Sequence, residues 1–571
     1  MRLIFLVPTL AVAIVMSGPV TAGSVVESAH NLSATGPGTV RAASESRVCK
    51  FCHTPHQAAP ATALWNRRNP GTTYAPYFSS TALASPGQPN GASLLCLSCH
   101  DGTVALGDVL DRSSSIPMSG GTVTMPPGRS RTGTDLRNHH PVSFAYDASL
   151  AGRKGELALP SSLPREVRLD RSGQMQCTSC HDPHDNDYGD FLVMRNDNSR
   201  LCVECHRKSG WSASTHNQSA ATWNGQGRNP WPNSQERNVS SNACGNCHET
   251  HQTGGGQVLL RHAAEEENCA ACHNGNVASK DVMDSFEQFS AHPVSANTLL
   301  HNGAEPGVIQ DRHVECSDCH DPHQTRVSGS GRAVGPGTGP RPAPNARGVN
   351  LNNTEMRPAS RGYEVCLRCH GDSPGKRTPK VRRQLDQNNV RAEIQQGNPS
   401  FHPIAGPGRN PDVPSLIAPL TPQSIMDCVD CHNSSSAASG GANGPHGSSI
   451  EPILAMNYET TDNTPESPSA YALCYSCHSR DSILGDESFS KHDKHIRDLN
   501  TPCSICHDAH GVSAVQGNMM NNTHLINFDT TVVRTNSQGI LRFDDQGRYS
   551  GSCDLMCHGE DHQSETYSWT P

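Results

Sequence analysis

The chain has 571 residues, with 45 Lys and Arg against 54 Asp and Glu, and a formal charge of −9 that excludes a nucleic-acid binder driven by phosphate contacts. Only 34% of residues are hydrophobic and 5% aromatic, beside 50 Gly and 41 Pro, too little apolar material for the cores that a chain of this length ordinarily builds. With 24 Cys and 31 His, something other than aliphatic packing must order it.

Residues 1–22 carry Arg2, an apolar run from Leu3 to Val15 and the small-residue end Val20, Thr21, Ala22, which reads as a secretory signal cleaved after Ala22. The run is too short to span a bilayer, and no later segment approaches that length. No cysteine precedes Cys49, so this is not a lipoprotein signal. The expectation is an exported protein, in the periplasm or at the cell surface.

From there the chain repeats one unit, two cysteines three residues apart followed at once by histidine. It occurs at Cys49, Cys52, His53; Cys96, Cys99, His100; Cys177, Cys180, His181; Cys202, Cys205, His206; Cys244, Cys247, His248; and Cys269, Cys272, His273. It continues at Cys316, Cys319, His320; Cys366, Cys369, His370; Cys428, Cys431, His432; Cys474, Cys477, His478; and Cys503, Cys506, His507. The last copy, Cys553, Cys557, His558, has one extra residue between its thiols, and no cysteine lies outside the series. Two thiols can add across the vinyl groups of a c-type haem, and the adjoining imidazole then becomes the proximal iron ligand. Zinc ribbons and disulfides demand no histidine at that position, so its presence in every copy favours covalent haem, twelve in all. A single turn is expected to bring the more widely spaced Cys553 and Cys557 to their haem as well.

The motifs form six pairs. In five, the first member has another histidine three residues after its proximal one: His56, His184, His251, His323 and His510. The ninth motif lacks it, and His446 can stand in. Isolated histidines also precede the pairs: His140, His292 and His402, each followed by proline and so presented from a stiff loop, and His30, His216 and His495 or its neighbour His492. One upstream and one internal histidine per pair supply twelve candidates for the distal side of twelve irons, leaving His139, His262, His301, His313, His492, His524 and His562 over.

The expected fold is mostly irregular coil with short helices and few strands, packed on haem and organised as serial two-haem modules. These are 23–135, 136–210, 211–280, 281–375, 376–480 and 481–571. Short helices are expected at Asp281–Ser290 and Arg261–Cys272, a β-hairpin over Thr531–Phe543 with its bend at Asn536–Gly539, and an exposed loop at Val327–Asn353. Lys376, Arg377, Lys380, Arg382 and Arg383 form a dense basic run, a solvated loop or else a dock for an acidic redox partner. Each oxidised haem with two histidines and two propionates adds roughly −1, so the loaded protein approaches about −20.

Pairs such as Cys177, Thr178, Ser179, Cys180, His181, Asp182, Pro183, His184 resemble the doubled CXXCH multihaem cytochromes c. The text from His30 to Gly38, then Val48 to His56 and Leu64, Trp65, Asn66, Arg67, is similar to exported cytochromes of metal-reducing bacteria. The resemblance implies stacked haems with histidine on both faces, used for electron transfer across the periplasm or at the cell surface. It also implies redox proteins or extracellular metal oxides as partners, and in some members head-to-tail assembly, for which His30 is the candidate ligand across a subunit boundary. The resulting expectation is an electron carrier without catalytic residues. Its rival is a multihaem reductase of the nitrite or hydroxylamine type, which needs one iron open on one side.

Overall fold

The computed structural model describes residues 24–59, 64–255, 257–294, 305–310, 313–325 and 346–568. The expected signal at 1–22, His301 and most of the Gly/Pro-rich loop lie outside them. No helix among the described residues is long and apolar enough to cross a membrane.

Coil dominates, and helices occur mainly where the motifs are. The first motif of each pair sits on a single turn, at Val48–Phe51, Cys177–Ser179, Ala243–Asn246, Cys316–Cys319, Cys428–Cys431 and Cys503–Cys506. Second members end longer helices where space allows: Gly91–His100, Glu265–His273 and Gly362–His370 each finish on the motif's histidine. Several single turns are closed by the motif itself. The Glu315 and Asp427 N–H groups donate to Asp318 and Asp430, at 2.9 and 2.8 Å, so the second residue between the cysteines caps the turn that presents them.

Four ladders are only two residues long: Phe144–Ala145 with Gln174–Met175, Ser290–Ala291 with Gly447–Ser448, Gly348–Val349 with Glu355–Met356, and Ser400–Phe401 with Gly511–Val512. The one larger sheet is antiparallel, with Ser550–Cys557 between Arg542–Asp545 and Glu560–Ser568. The expected hairpin over Thr531–Phe543 forms only its bend, where the Asn536 carbonyl accepts from Gly539 at 2.9 Å. Its second arm pairs instead with Ser550–Cys557, and its first arm meets that strand only at Arg534 opposite Met556, because the C-terminal hairpin offers a longer edge. The helix expected over Asp281–Ser290 is a single turn, Met283–Phe286, since the chain must straighten into the Ser290–Ala291 ladder. The helix expected over Arg261–Cys272 runs over Glu265–His273.

The chain forms two compact units. One comprises Met1–Phe78, Ala82–Arg207 and Thr250–Gln252 and holds the first four motifs; the other comprises Ser79–Thr81, Lys208–Glu249 and Thr253–Pro571 and holds eight. Neither has one large core. Buried apolar residues gather in small clusters, such as Ala42, Phe51, Val109 and Ile116 against Cys52, or Val349, Tyr363, Leu367 and Ile394 against Cys428. Each cluster offers a few side chains at about 2 kcal/mol apiece, far below the ordering cost of the coil around it.

Buried guanidinium groups complete the interior. Arg67 is fully buried and donates to the carbonyls of Ser98, Ala105, Leu106 and Asp108 at 2.8–3.3 Å. Arg368 bridges Glu305 and Asp318. Arg383, from the basic run, turns inward to the carbonyls of Ser504, His507 and Asn527 at 2.6–2.9 Å, so it is a structural hub and not part of a docking patch. Arg67→Met strips the donor from four carbonyls and should cost about 3 kcal/mol or more, read as a lower denaturant midpoint for the purified holoprotein.

Candidate haem centres

The motif's geometry follows from its turn. His53, His181, His206, His248, His320, His432, His478 and His507 each donate their backbone N–H to the carbonyl of the motif's first cysteine at 2.8–3.0 Å. That closes one helical turn, which puts positions i, i+3 and i+4 on one face, as two thioethers and a proximal imidazole on one haem require. The thiols are half-buried or exposed; desolvation pushes Cys52, Cys180 and Cys431 up to about 12, and none of the 24 forms a disulfide.

The proximal imidazoles face second imidazoles. Ring centroids lie 6.0 Å apart for His53 and His184, 6.1 Å for His100 and His30, 6.2 Å for His181 and His251, and 6.2 Å for His206 and His140. The series continues with His248 and His323 at 6.1 Å, His273 and His216 at 6.2 Å, His320 and His446 at 6.1 Å, and His370 and His292 at 6.3 Å. His432 and His510 lie at 6.2 Å and His507 and His492 at 6.5 Å, and His402 is near enough to His478 to depress its pKa. One metal bound by both Nε2 atoms needs about 6.3 Å, from two metal–nitrogen bonds of about 2 Å and ~1.1 Å from each nitrogen to its ring centre. The residues therefore fit a metal-centred group held from both faces.

A simple rule assigns these partners. The histidine three residues after a first-member motif serves the first member of the preceding pair: His184 faces His53, His251 faces His181, and His323 faces His248. His510 likewise faces His432, while His446 takes the corresponding place for His320. The isolated upstream histidine faces the second member of the pair that follows it: His30 faces His100, His140 faces His206, His216 faces His273, and His292 faces His370. Segment Thr250–Gln252, which follows the fifth motif, accordingly belongs to the first unit, where His251 faces His181 of the third motif.

The two kinds of distal histidine are tied together. Nδ1 of His30 donates to the Pro183 carbonyl at 3.1 Å, His216 to Pro322 at 2.9 Å and His292 to Pro445 at 2.7 Å, and His402 donates to Ala509. Each acceptor directly precedes the other distal histidine, namely His184, His323, His446 or His510. The ladders Ser290–Ala291 with Gly447–Ser448 and Ser400–Phe401 with Gly511–Val512 adjoin these residues and fix their register. With Nδ1 occupied, Nε2 is the nitrogen left for a metal. Desolvation lowers His248, His273, His370 and His432 to about 4, which keeps those four rings neutral.

Proximal rings are held by strained loops. Nδ1 of His181, His248 and His507 donates to the carbonyls of Asp190, Val258 and His524 at 2.8–3.0 Å, and all three acceptors have φ between 47° and 56°. Antiparallel bridges then join His53 to Trp65, His181 to Leu192, His248 to Leu260 and His507 to Ile526. The sequence signal is an apolar dipeptide after the motif, Leu64-Trp65, Phe191-Leu192, Leu259-Leu260 and Leu525-Ile526, which reading for histidines alone passes over.

Within each unit the motifs follow one another in space as in sequence. Cys52 lies by Cys99, Cys96 by Cys177 and Cys180 by Cys205; in the second unit Cys247 lies by Cys272, Cys269 by Cys316 and Cys319 by Cys366. Cys366 then lies by Cys428, Cys431 by Cys477, Cys474 by Cys503, and Cys506 by Cys557 and Cys553.

Three places differ from expectation. Cys553 and Cys557 stand on the strand Ser550–Cys557 with a bulge between Cys553 and Leu555, not on a turn, and His558 Nε2 meets Asp462 at 2.9 Å. His492, named as the alternative to His495, is the imidazole facing His507, while His495 lies near His558. His56 is exposed, and no imidazole among the described residues faces it.

Residues 236–400 match the family model described as outer membrane cytochrome MtrC/MtrF-like, domains II/IV, and residues 171–210 match that of the doubled CXXCH motif. The chain is a multihaem c-type cytochrome. No curated protein matches this cytochrome. The doubled-motif match falls on Cys177 to His206 and the outer-membrane match on the four motifs from Cys244 to His370. In this cytochrome a β-branched residue at positive φ, Val258, holds the carbonyl that orients His248. Val258→Asn should keep that bond and relieve about 1 kcal/mol of strain, seen as a higher unfolding midpoint.

Proposed function

We propose that the cytochrome is a dodecahaem electron conduit with no chemistry of its own, exported to the periplasm or cell surface and passing electrons to redox proteins or extracellular metal acceptors. The observation that carries this reading is the facing of ten proximal imidazoles by a second imidazole at 6.0–6.5 Å. Bound between them, each haem supplies a one-electron ferric/ferrous couple whose potential answers to ligand, burial and hydrogen bonding. Facing histidines would hold the iron from both sides and leave no side open to substrate, and the thiol turns place successive attachment points side by side. Nδ1 bonds to carbonyls keep the rings from swinging away when the charge changes.

The outer-membrane cytochrome model over residues 236–400 and the expected signal at 1–22 support export. For the twelfth haem the proposal assigns Cys553, Cys557 and proximal His558, with distal His495, on the grounds that both thiols adjoin Cys506 and the two histidines are neighbours. Assembly through His30 is not part of the proposal, because His30 faces His100 of its own chain. The reductase alternative requires an iron with one face open.

Carbon monoxide or nitrite added to the reduced protein should leave the visible spectrum nearly unchanged, while a stoichiometric high-spin fraction would favour the reductase. Intact mass should show twelve covalent haems; eleven, with Cys553 and Cys557 free, would remove the last site.

A further inference from the structure

The facing imidazoles differ in the angle between their planes, and the difference alternates along the chain. At the first members of the first five pairs the planes are near parallel: 20° for His53 and His184, 33° for His181 and His251, 11° for His248 and His323, 19° for His320 and His446, and 29° for His432 and His510, whereas His507 and His492, in the sixth pair, stand at 45°, between the two classes. At second members they are crossed: 68° for His100 and His30, 83° for His206 and His140, 71° for His273 and His216, and 56° for His370 and His292. The two ranges do not overlap over nine successive sites.

The cause lies in how each distal ring is anchored. An Nδ1–H bond to a carbonyl lies in the plane of its ring, so a fixed acceptor fixes the plane. His30, His216 and His292 bond to the carbonyls of Pro183, Pro322 and Pro445, each in the residue just before another distal histidine. The histidines after the motifs have no Nδ1 bond to a carbonyl among the described residues: His184 and His323 lean towards their own Asp182 and Asp321, His510 meets the Glu393 carboxylate at 3.2 Å, and His251 meets the His139 ring at 3.1 Å.

We infer that the chain builds two electronic kinds of iron site in alternation, the histidines that follow the motifs setting one kind and the upstream histidines the other. The inference rests on the ligation proposed above. Parallel imidazoles donate into the same iron d orbital and split it from its partner, giving a rhombic low-spin ferric centre. Crossed imidazoles raise both orbitals alike and leave them nearly degenerate, giving an axial one. The raised orbital also favours the ferric state, so the parallel sites as a class take up electrons at lower potential.

The test is electron paramagnetic resonance of the oxidised full-length holoprotein. The wild type should show two low-spin populations of comparable size, a rhombic set and a strongly anisotropic set with one steep low-field feature. On reductive titration the anisotropic set should disappear first. His323→Ala should convert one haem's worth of the rhombic set to high spin, and His216→Ala one haem's worth of the anisotropic set. A single low-spin class in the wild type overturns the inference without either variant, as does loss of the rhombic set first, or loss of the same class in both variants. A stoichiometric high-spin signal in the wild type would instead sink the two-histidine ligation on which it rests.

Discussion

Two neutral imidazoles held about 6.3 Å apart, the span of one metal between two nitrogens, are the constraint on which the rest of this chain depends. A coil with few apolar residues cannot set that distance by packing alone, so it is set by short-range bonds at both ends. On the proximal side, a helical turn and a strained carbonyl such as that of Val258 fix the ring of His248. On the distal side, Pro322 and a neighbouring backbone pairing fix His216, and two-residue ladders fix His292 and His402.

This explains a sheet inventory that is otherwise hard to justify. Two-residue ladders contribute little stability of their own. Ser290–Ala291 and Ser400–Phe401 nevertheless end just before His292 and His402, and their partner strands begin just after His446 and His510. Their use is register: a slip of one residue would turn each imidazole to the opposite face. Because a histidine after one motif faces the first member of the pair before it, each of the first five pairs would depend on a residue of the next stretch under the proposed ligation. Burial of Arg67, Arg368 and Arg383 among carbonyls and carboxylates supplies the cohesion that an apolar core supplies elsewhere.

Much of this is legible in the sequence. Cysteine and histidine spacing is what carries the proposed haem attachment from Cys49 to His507, and Gly, Pro and few aromatics specify coil. Partner choice is another matter. Nothing local to His184 says that it faces His53, 131 positions earlier, and nothing distinguishes His492 from His495 until the turn at Lys494–Asp498 is seen. The positive-φ acceptors were hidden because Val258 and Leu259 read as strand residues, and tertiary demand overrides that preference. The strand under Cys553 was hidden because an extra residue between the thiols looks like a longer turn, whereas pairing with Glu560–Ser568 draws it straight.

The central claim is that each of the first five pairs of motifs borrows a ligand from the segment after it, and a structure of the haem-loaded protein tests it most directly. The account predicts that the iron held by His53 is bound on its other face by Nε2 of His184, and the iron held by His248 by Nε2 of His323. Finding His56 on the iron of its own pair, or water in place of His184 and His323, would contradict it.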